Sequence, residues 1–190
     1  ENSNAVVPTF IEALRAGAQS VSFGSSIDLQ GNVLVISDPL AHNSLTTALG
    51  KVHIFNREGS CDGSSDGVCW QEDIDAITTP DGAVSFGMSV ALSSYARQDN
   101  NLDDIDYTLA VGSPLLKDIY SAGTGGVYMF VRYPEYVDAE DGIPVSASWK
   151  ADANALIVDT YGMNYGYDLA FDSNGDLYAT DPSADSDNRK

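Results

Sequence analysis

The densest metal-binding chemistry in the chain is the run RQDNNLDDIDY that follows Ala96. Asp99, Asn101 and Asp103 alternate there, and Asp104 and Asp106 follow. Hard oxygens at the first, third and fifth places of a loop suit Ca2+, which takes roughly six to eight such ligands. The run lacks the glycine at the sixth place and the acid at the ninth that suit such a loop. Two readings stand: a Ca2+ site on Asp99, Asn101, Asp103 and Asp106, or a solvated acidic loop. A second candidate, DSNGD with Asp172, Asn174 and Asp176, has Asn-Gly near its centre. That dipeptide favours an ordinary hairpin turn over a calcium site.

Cys61 and Cys69 bracket the flexible stretch DGSSDGV. A local disulfide is the favoured reading, and it implies an oxidising, extracellular compartment. Two free thiols in a loop is the alternative. Zinc would need further Cys or His close by, and the chain has only His42 and His53. His53 falls in an apolar run and reads as a half-exposed strand residue. No nucleophile, base and orienting acid can be assembled from spacing, and no serine sits in a nucleophile elbow. The expectation is a protein without catalytic activity. Carboxylate pairs for glycoside hydrolysis stay open, because 28 acids always offer pairs. Tyr120, Tyr133 and Tyr136 read as loop residues that could form a glycan-contact patch.

These residues need a scaffold, and 190 residues with 43% hydrophobic content are enough for one domain with a core. The net charge is -19, from nine Lys+Arg against 28 Asp+Glu. Such a chain cannot present the basic footprint that nucleic acid needs, nor one for anionic membrane surfaces. No apolar run approaches the roughly 20 residues of a membrane helix, so no membrane insertion is expected. The sequence opens at Glu1 without a methionine, which suggests a processed or partial chain.

The scaffold is written as a repeat. Phe23-Gly24, Phe86-Gly87 and Tyr165-Gly166 each precede an apolar strand. A second strand then ends at a proline, in VLVISDP, TLAVGSP and LYATDP (Pro39, Pro114 and Pro182). A third strand follows, GKVHIF from Gly50 and GGVYMF from Gly125, in both cases 11 residues after the proline. A fourth opens with tryptophan, WQEDIDAI at Trp70 and WKADANAL at Trp149, in both cases 16 residues before the next aromatic-glycine pair. Counting back from Phe23 in the same frame aligns Leu14 with Ile77 and Leu156. The segment TFIEALRAG, helical by its own periodicity, then becomes a fourth strand. The long acidic run is an insertion between the first two strands of the second unit. Prolines cannot donate to a ladder and mark strand ends. The aromatic should fill space between units, and the glycine should allow a close approach.

A repeated four-stranded antiparallel unit is the signature of a β-propeller blade. FGSSIDLQGNVLVISDP…GKVHIFNR…W and FGMSV…LAVGSP…GGVYMFVR…W resemble FG-GAP repeats, the blades of integrin α-subunit propellers and of many secreted proteins. The chain is closer to the variant without an obligatory calcium loop. Departures are SDP, GSP and TDP in place of the GAP triplet, and Tyr165 in place of phenylalanine. The resemblance implies an all-β fold, with about three blades of an incomplete ring. Residues 1–22 would be the fourth strand of a preceding blade, 23–85 and 86–164 two complete blades, and 165–190 the start of a third. It also places calcium, where such repeats hold it, between the first two strands of a blade.

The function expected is non-catalytic: an extracellular, secreted or cell-surface propeller segment serving protein–protein interaction, adhesion or assembly of a surface structure. Its partner would be another protein or the remaining blades of a longer chain, with a glycan as a further option. No cofactor is required, Ca2+ apart. The alternative is the propeller portion of a secreted carbohydrate- or lipid-active enzyme.

Overall fold

The computed structural model describes residues 13–15, 20–44, 47–48, 50–58, 69–73, 77–78, 85–96, 105–114, 125–133, 136–137, 144–145, 147–152 and 164–182. Every element among them is a strand, and every strand pairing is antiparallel. The first sheet opens with β1 (Ile27–Gln30) and β2 (Val33–Asp38). The short hairpin β3 (His42–Ser44) and β4 (Thr47–Ala48) follows, and then β5 (Lys51–Glu58), β6 (Cys69–Glu72) and β7 (Ile77–Thr78). Its order is β1-β2-β5-β6, with β7 also on β5. The second sheet contains β8 (Val90–Ala96), β9 (Ile105–Ser113) and β10 (Gly126–Tyr133). After the small hairpin β11 (Tyr136–Val137) and β12 (Pro144–Val145), β13 (Ser148–Ala151) completes the order β13-β10-β9-β8. The third unit is the hairpin β14 (Leu169–Phe171) and β15 (Leu177–Ala179).

The four strands expected per unit, each beside its sequence neighbour, are therefore present twice. The strand expected from Trp70 through Ile77 is broken. Glu72 pairs with Phe55 and Ile77 with Val52, so β5 advances three residues while its partner advances five. The two paired stretches, β6 and β7, are thus out of register by two residues. Ala13–Arg15, part of the strand expected before the first sheet, form no strand.

β2 is buried along its whole length, on one face by the second sheet and on the other by Leu14, Phe23 and Trp70. Successive side chains point to opposite faces, so Val33 and Val35 enter one cluster and Leu34 and Ile36 another. We call the face towards the N-terminal neighbour the leading face and the opposite one the trailing face. The main core joins the trailing face of the first sheet (Val33, Val35, Val52, Ile54, Ile77) to the leading face of the second (Val90, Leu92, Leu109, Val111, Tyr128, Phe130). Phe86 is fully buried between them, edge-on to Tyr128 and Phe130. A second cluster joins the trailing face of the second sheet (Ala91, Ala110, Val127) to Leu169, Phe171 and Leu177 of the third hairpin.

Candidate functional site

The aromatic-glycine entrance is held by the same bond in all three units. The amide of Gly24 donates to Ser37 O at 2.9 Å, Gly87 to Gly112 O at 2.9 Å and Gly166 to Thr180 O at 3.0 Å. Each bond ties the aromatic-glycine pair to the residue two before the proline, and all three glycines have φ between 86° and 91°. Glycine tolerates this left-handed region, where other residues are strained. A second set of bonds links one unit to the next. On β8 the Val90 amide donates to Ser26 Oγ at 3.2 Å, and the Leu92 amide to Asp28 Oδ2 at 2.7 Å. Both partners lie beside or on β1, so side chains of the first sheet satisfy the edge of the second. Ser89, three residues after Phe86 as Ser26 is after Phe23, donates to Gly166 O at 2.9 Å. Closeness depends on glycine. A Cβ on Gly50 would lie 2.0 Å from Phe86 O, and one on Gly125 would lie 2.4 Å from both the amide nitrogen and the carbonyl oxygen of Tyr165.

Among the described residues, one copy of this junction has no partner. The leading face of the first sheet gathers Leu34, Ile36 and Phe55, with Phe23, Trp70 and Leu14 packed on them. An apolar groove runs along Leu14, Phe23, Ile27, Leu34, Ile36 and Trp70. Ile27 and Leu29 are 63% and 51% exposed, whereas Val90 and Leu92, at the same places in the second sheet, are 5% and 1% exposed. A Cβ on Gly24 would meet nothing within 4 Å, whereas one on Gly87 would touch Lys51 O, Ser37 and Val52. The far end of the molecule mirrors this. Tyr178 on β15 is 60% exposed, but Val35 and Ala110, also four residues before their prolines, are fully buried.

Two polar groups sit at the open face. His53 is buried, with the edge of the Phe23 ring against it at 5.1 Å between centroids. The expectation of a half-exposed residue is thus corrected, because the aromatic covers it. Its Nδ1 is hydrogen-bonded to Glu72 Oε1, and its buried Nε2 has no partner among the described residues. This pair was invisible in sequence, because it depends on the β5–β6 register. It couples a base with an acid, and among the described residues no nucleophile meets Nε2. Asp38 is also buried; its Oδ1 accepts from Ser22 N and Ser22 Oγ, both at 2.8 Å. Burial pushes this carboxyl up, but hydrogen bonds from Ser20, Ser22 and Val21 outweigh burial and hold it below its ordinary value.

Of the residues singled out for calcium, Asp99, Asn101 and Asp103 lie outside the described residues. Asp106 is in β9, opposite Tyr95 of β8. Among the described residues no three His, Cys, Asp or Glu side chains form a metal-holding group. DSNGD is a hairpin turn. Asp172 Oδ1 accepts from the amides of Asn174 (2.8 Å) and Asp176 (3.0 Å), bonds that hold its carboxyl below the ordinary value. Cys69 opens β6 opposite Glu58 and is not a free thiol; Cys61 lies outside the described residues. Tyr120 lies outside as well. Tyr133 and Tyr136 stand in β10 and β11 and not in loops. A cleft of about 680 Å3 opens beside the third hairpin, with Gln30, Ser93, Thr108 and Asn174 set against Leu92 and Met129.

No family model matches the chain, and no curated protein or solved structure matches it.

Proposed function

We propose that this chain is a stretch of a β-propeller of the FG-GAP kind, acting without catalysis in protein–protein association at an extracellular or cell-surface location. The observation that carries this reading is the junction made twice within the chain and, among the described residues, left open on the first sheet and on the third hairpin. Rings of such blades close at four or more, so further blades must come from elsewhere. Ca2+ on Asp99, Asn101, Asp103 and Asp106 and a Cys61–Cys69 disulfide belong to the same reading.

Cross-linking mass spectrometry of the native particle tests it. The expected result is links from the neighbourhood of Ile27 and of Tyr178 to further β-sheets, within a species heavier than 20.2 kDa. A native species that is the bare 20.2 kDa chain with no partner would sink it. A second reading, the propeller portion of a carbohydrate-active enzyme, draws on the cleft at the third hairpin. Its hydroxyl and amide groups over an apolar floor suit a sugar. Loss of glycan retention on an affinity column in Asn174→Ala would support that version.

A further inference from the structure

Resting on this propeller reading, we infer that the leading face of the first sheet docks the third hairpin of a second copy of the chain, head to tail. What covers such a face is visible inside the molecule. The equivalent face of the second sheet receives the trailing face of the sheet before it. Among the described residues, the one trailing face without a cover is that of the third hairpin, where Tyr178 is exposed. The two open faces are thus the two halves of a junction the chain already makes twice.

The shape of the seat favours a partial sheet. Leu14 packs on the cluster of Leu34, Ile36 and Phe55 beside Trp70. Ile77, its equivalent in the repeat, packs within the cluster to which Trp149 is added. The outer place of the seat is therefore filled, and the inner places, beside Ile27 and Leu29, are open. β14 and β15 are the first two strands of a unit, which are the ones that fill the inner places. Where the second unit presents Tyr128, the first presents His53, whose buried Nε2 has no partner among the described residues.

A head-to-tail contact is heterologous, so each copy keeps one free half after pairing. The charge of -19 per copy opposes contact at long range, and salt screens it within about 10 Å at 0.1 M. Sedimentation equilibrium of the 190-residue chain, over a range of concentrations at low and high salt, reads the pairing. Association that strengthens with salt is expected. Ile27→Asp and Tyr178→Asp alter exposed side chains, so both variants should keep the wild-type melting curve. Each should weaken self-association at least about 100-fold, because a charge would enter an apolar junction. Mixed together, the two variants should form a one-to-one pair that grows no further, since each retains the half the other lacks. A chain monomeric at every concentration and salt overturns the proposal. So does a symmetric dimer lost in one variant only and not restored by mixing. Either outcome leaves the propeller reading standing, because that reading falls only on the native-particle result.

Discussion

The leading faces of the first and second sheets are the same design in two surroundings. Both carry an aromatic before a left-handed glycine, apolar alternation on the inner strands and a tryptophan on the outer strand. In the second sheet a neighbour covers this set, and Phe86, Val90 and Leu92 are buried. In the first sheet Ile27 and Leu29 meet solvent. Equal sequence features thus acquire unequal energetic weight, and the difference measures what a neighbouring sheet contributes.

The largest expected effect comes from removing the covered aromatic. Phe86→Ala should destabilise the fold by about 3–5 kcal/mol, the range for a fully buried aromatic. Phe23→Ala, with one side of the ring uncovered, should lose roughly half as much. Urea unfolding monitored by tryptophan fluorescence compares the two. Equal losses would mean that the neighbour adds nothing to the aromatic.

Glycines give the next test, because φ is nearly constant while surroundings change. Gly50 (φ 87°) and Gly24 (φ 91°) face the same left-handed strain when replaced by alanine, about 1–2 kcal/mol. Only at Gly50 does the new methyl meet backbone, so Gly50→Ala should lose about 1–3 kcal/mol more, as overpacking does. Thermal melts of the two variants show the gap, and a Gly24→Ala loss as large as that at Gly50 would contradict an open leading face. If a second copy or another partner is bound, the Gly24→Ala loss should grow.

The polar link comes next. Asp28 accepts from the Leu92 amide across the junction, and also from the Leu29 amide at 2.7 Å. Asp28→Ala leaves the β8 amide without its acceptor, and about 1–3 kcal/mol should be lost. Amide hydrogen exchange at Leu92 should accelerate in this variant. Unchanged exchange would mean that the bond does not hold the edge.

The repeat was legible because it rests on local spacing. Phe-Gly, the proline that ends the second strand and the opening tryptophan occupy equivalent places in the folded chain, and the Gly24, Gly87 and Gly166 amide bonds repeat accordingly. DSNGD was read as a hairpin turn for a similarly local reason, its Asn-Gly. What sequence hid depends on register and on neighbours. The register change between Glu72 and Ile77 is a mismatch of two strands, which no single-strand pattern records. His53 looked half-exposed because alternation does not reveal that Phe23, thirty residues earlier, folds across it. The contact of His53 with Glu72 follows from the β5–β6 register. An incomplete ring was expected, but which side chains it leaves open took the exposures of paired positions to decide.

The smallest effect is titrational and concerns the edge of the open face. Asp38 is held below its ordinary value of 3.8 by hydrogen bonds that outweigh its burial. Its folded-state value therefore lies below its unfolded one. Such a group binds fewer protons when folded, so it stabilises the fold fully above about pH 4, and that contribution fades as pH falls through the folded value. Ser113 stands at the equivalent place in the second unit, also fully buried, and carries no such charge. Acid unfolding should therefore loosen the first sheet before the second. In Asp38→Asn the stability lost between pH 4 and pH 2 should be smaller than in the wild type, while Ser113→Ala should leave the slope unchanged. Hydrogen exchange resolved by sheet over that range compares the two units. Parallel slopes in wild type and Asp38→Asn would show that the Ser22 hydrogen bonds add nothing to the charged form. The acid sensitivity would then have to come from the rest of the 28 carboxylates shared by all three units.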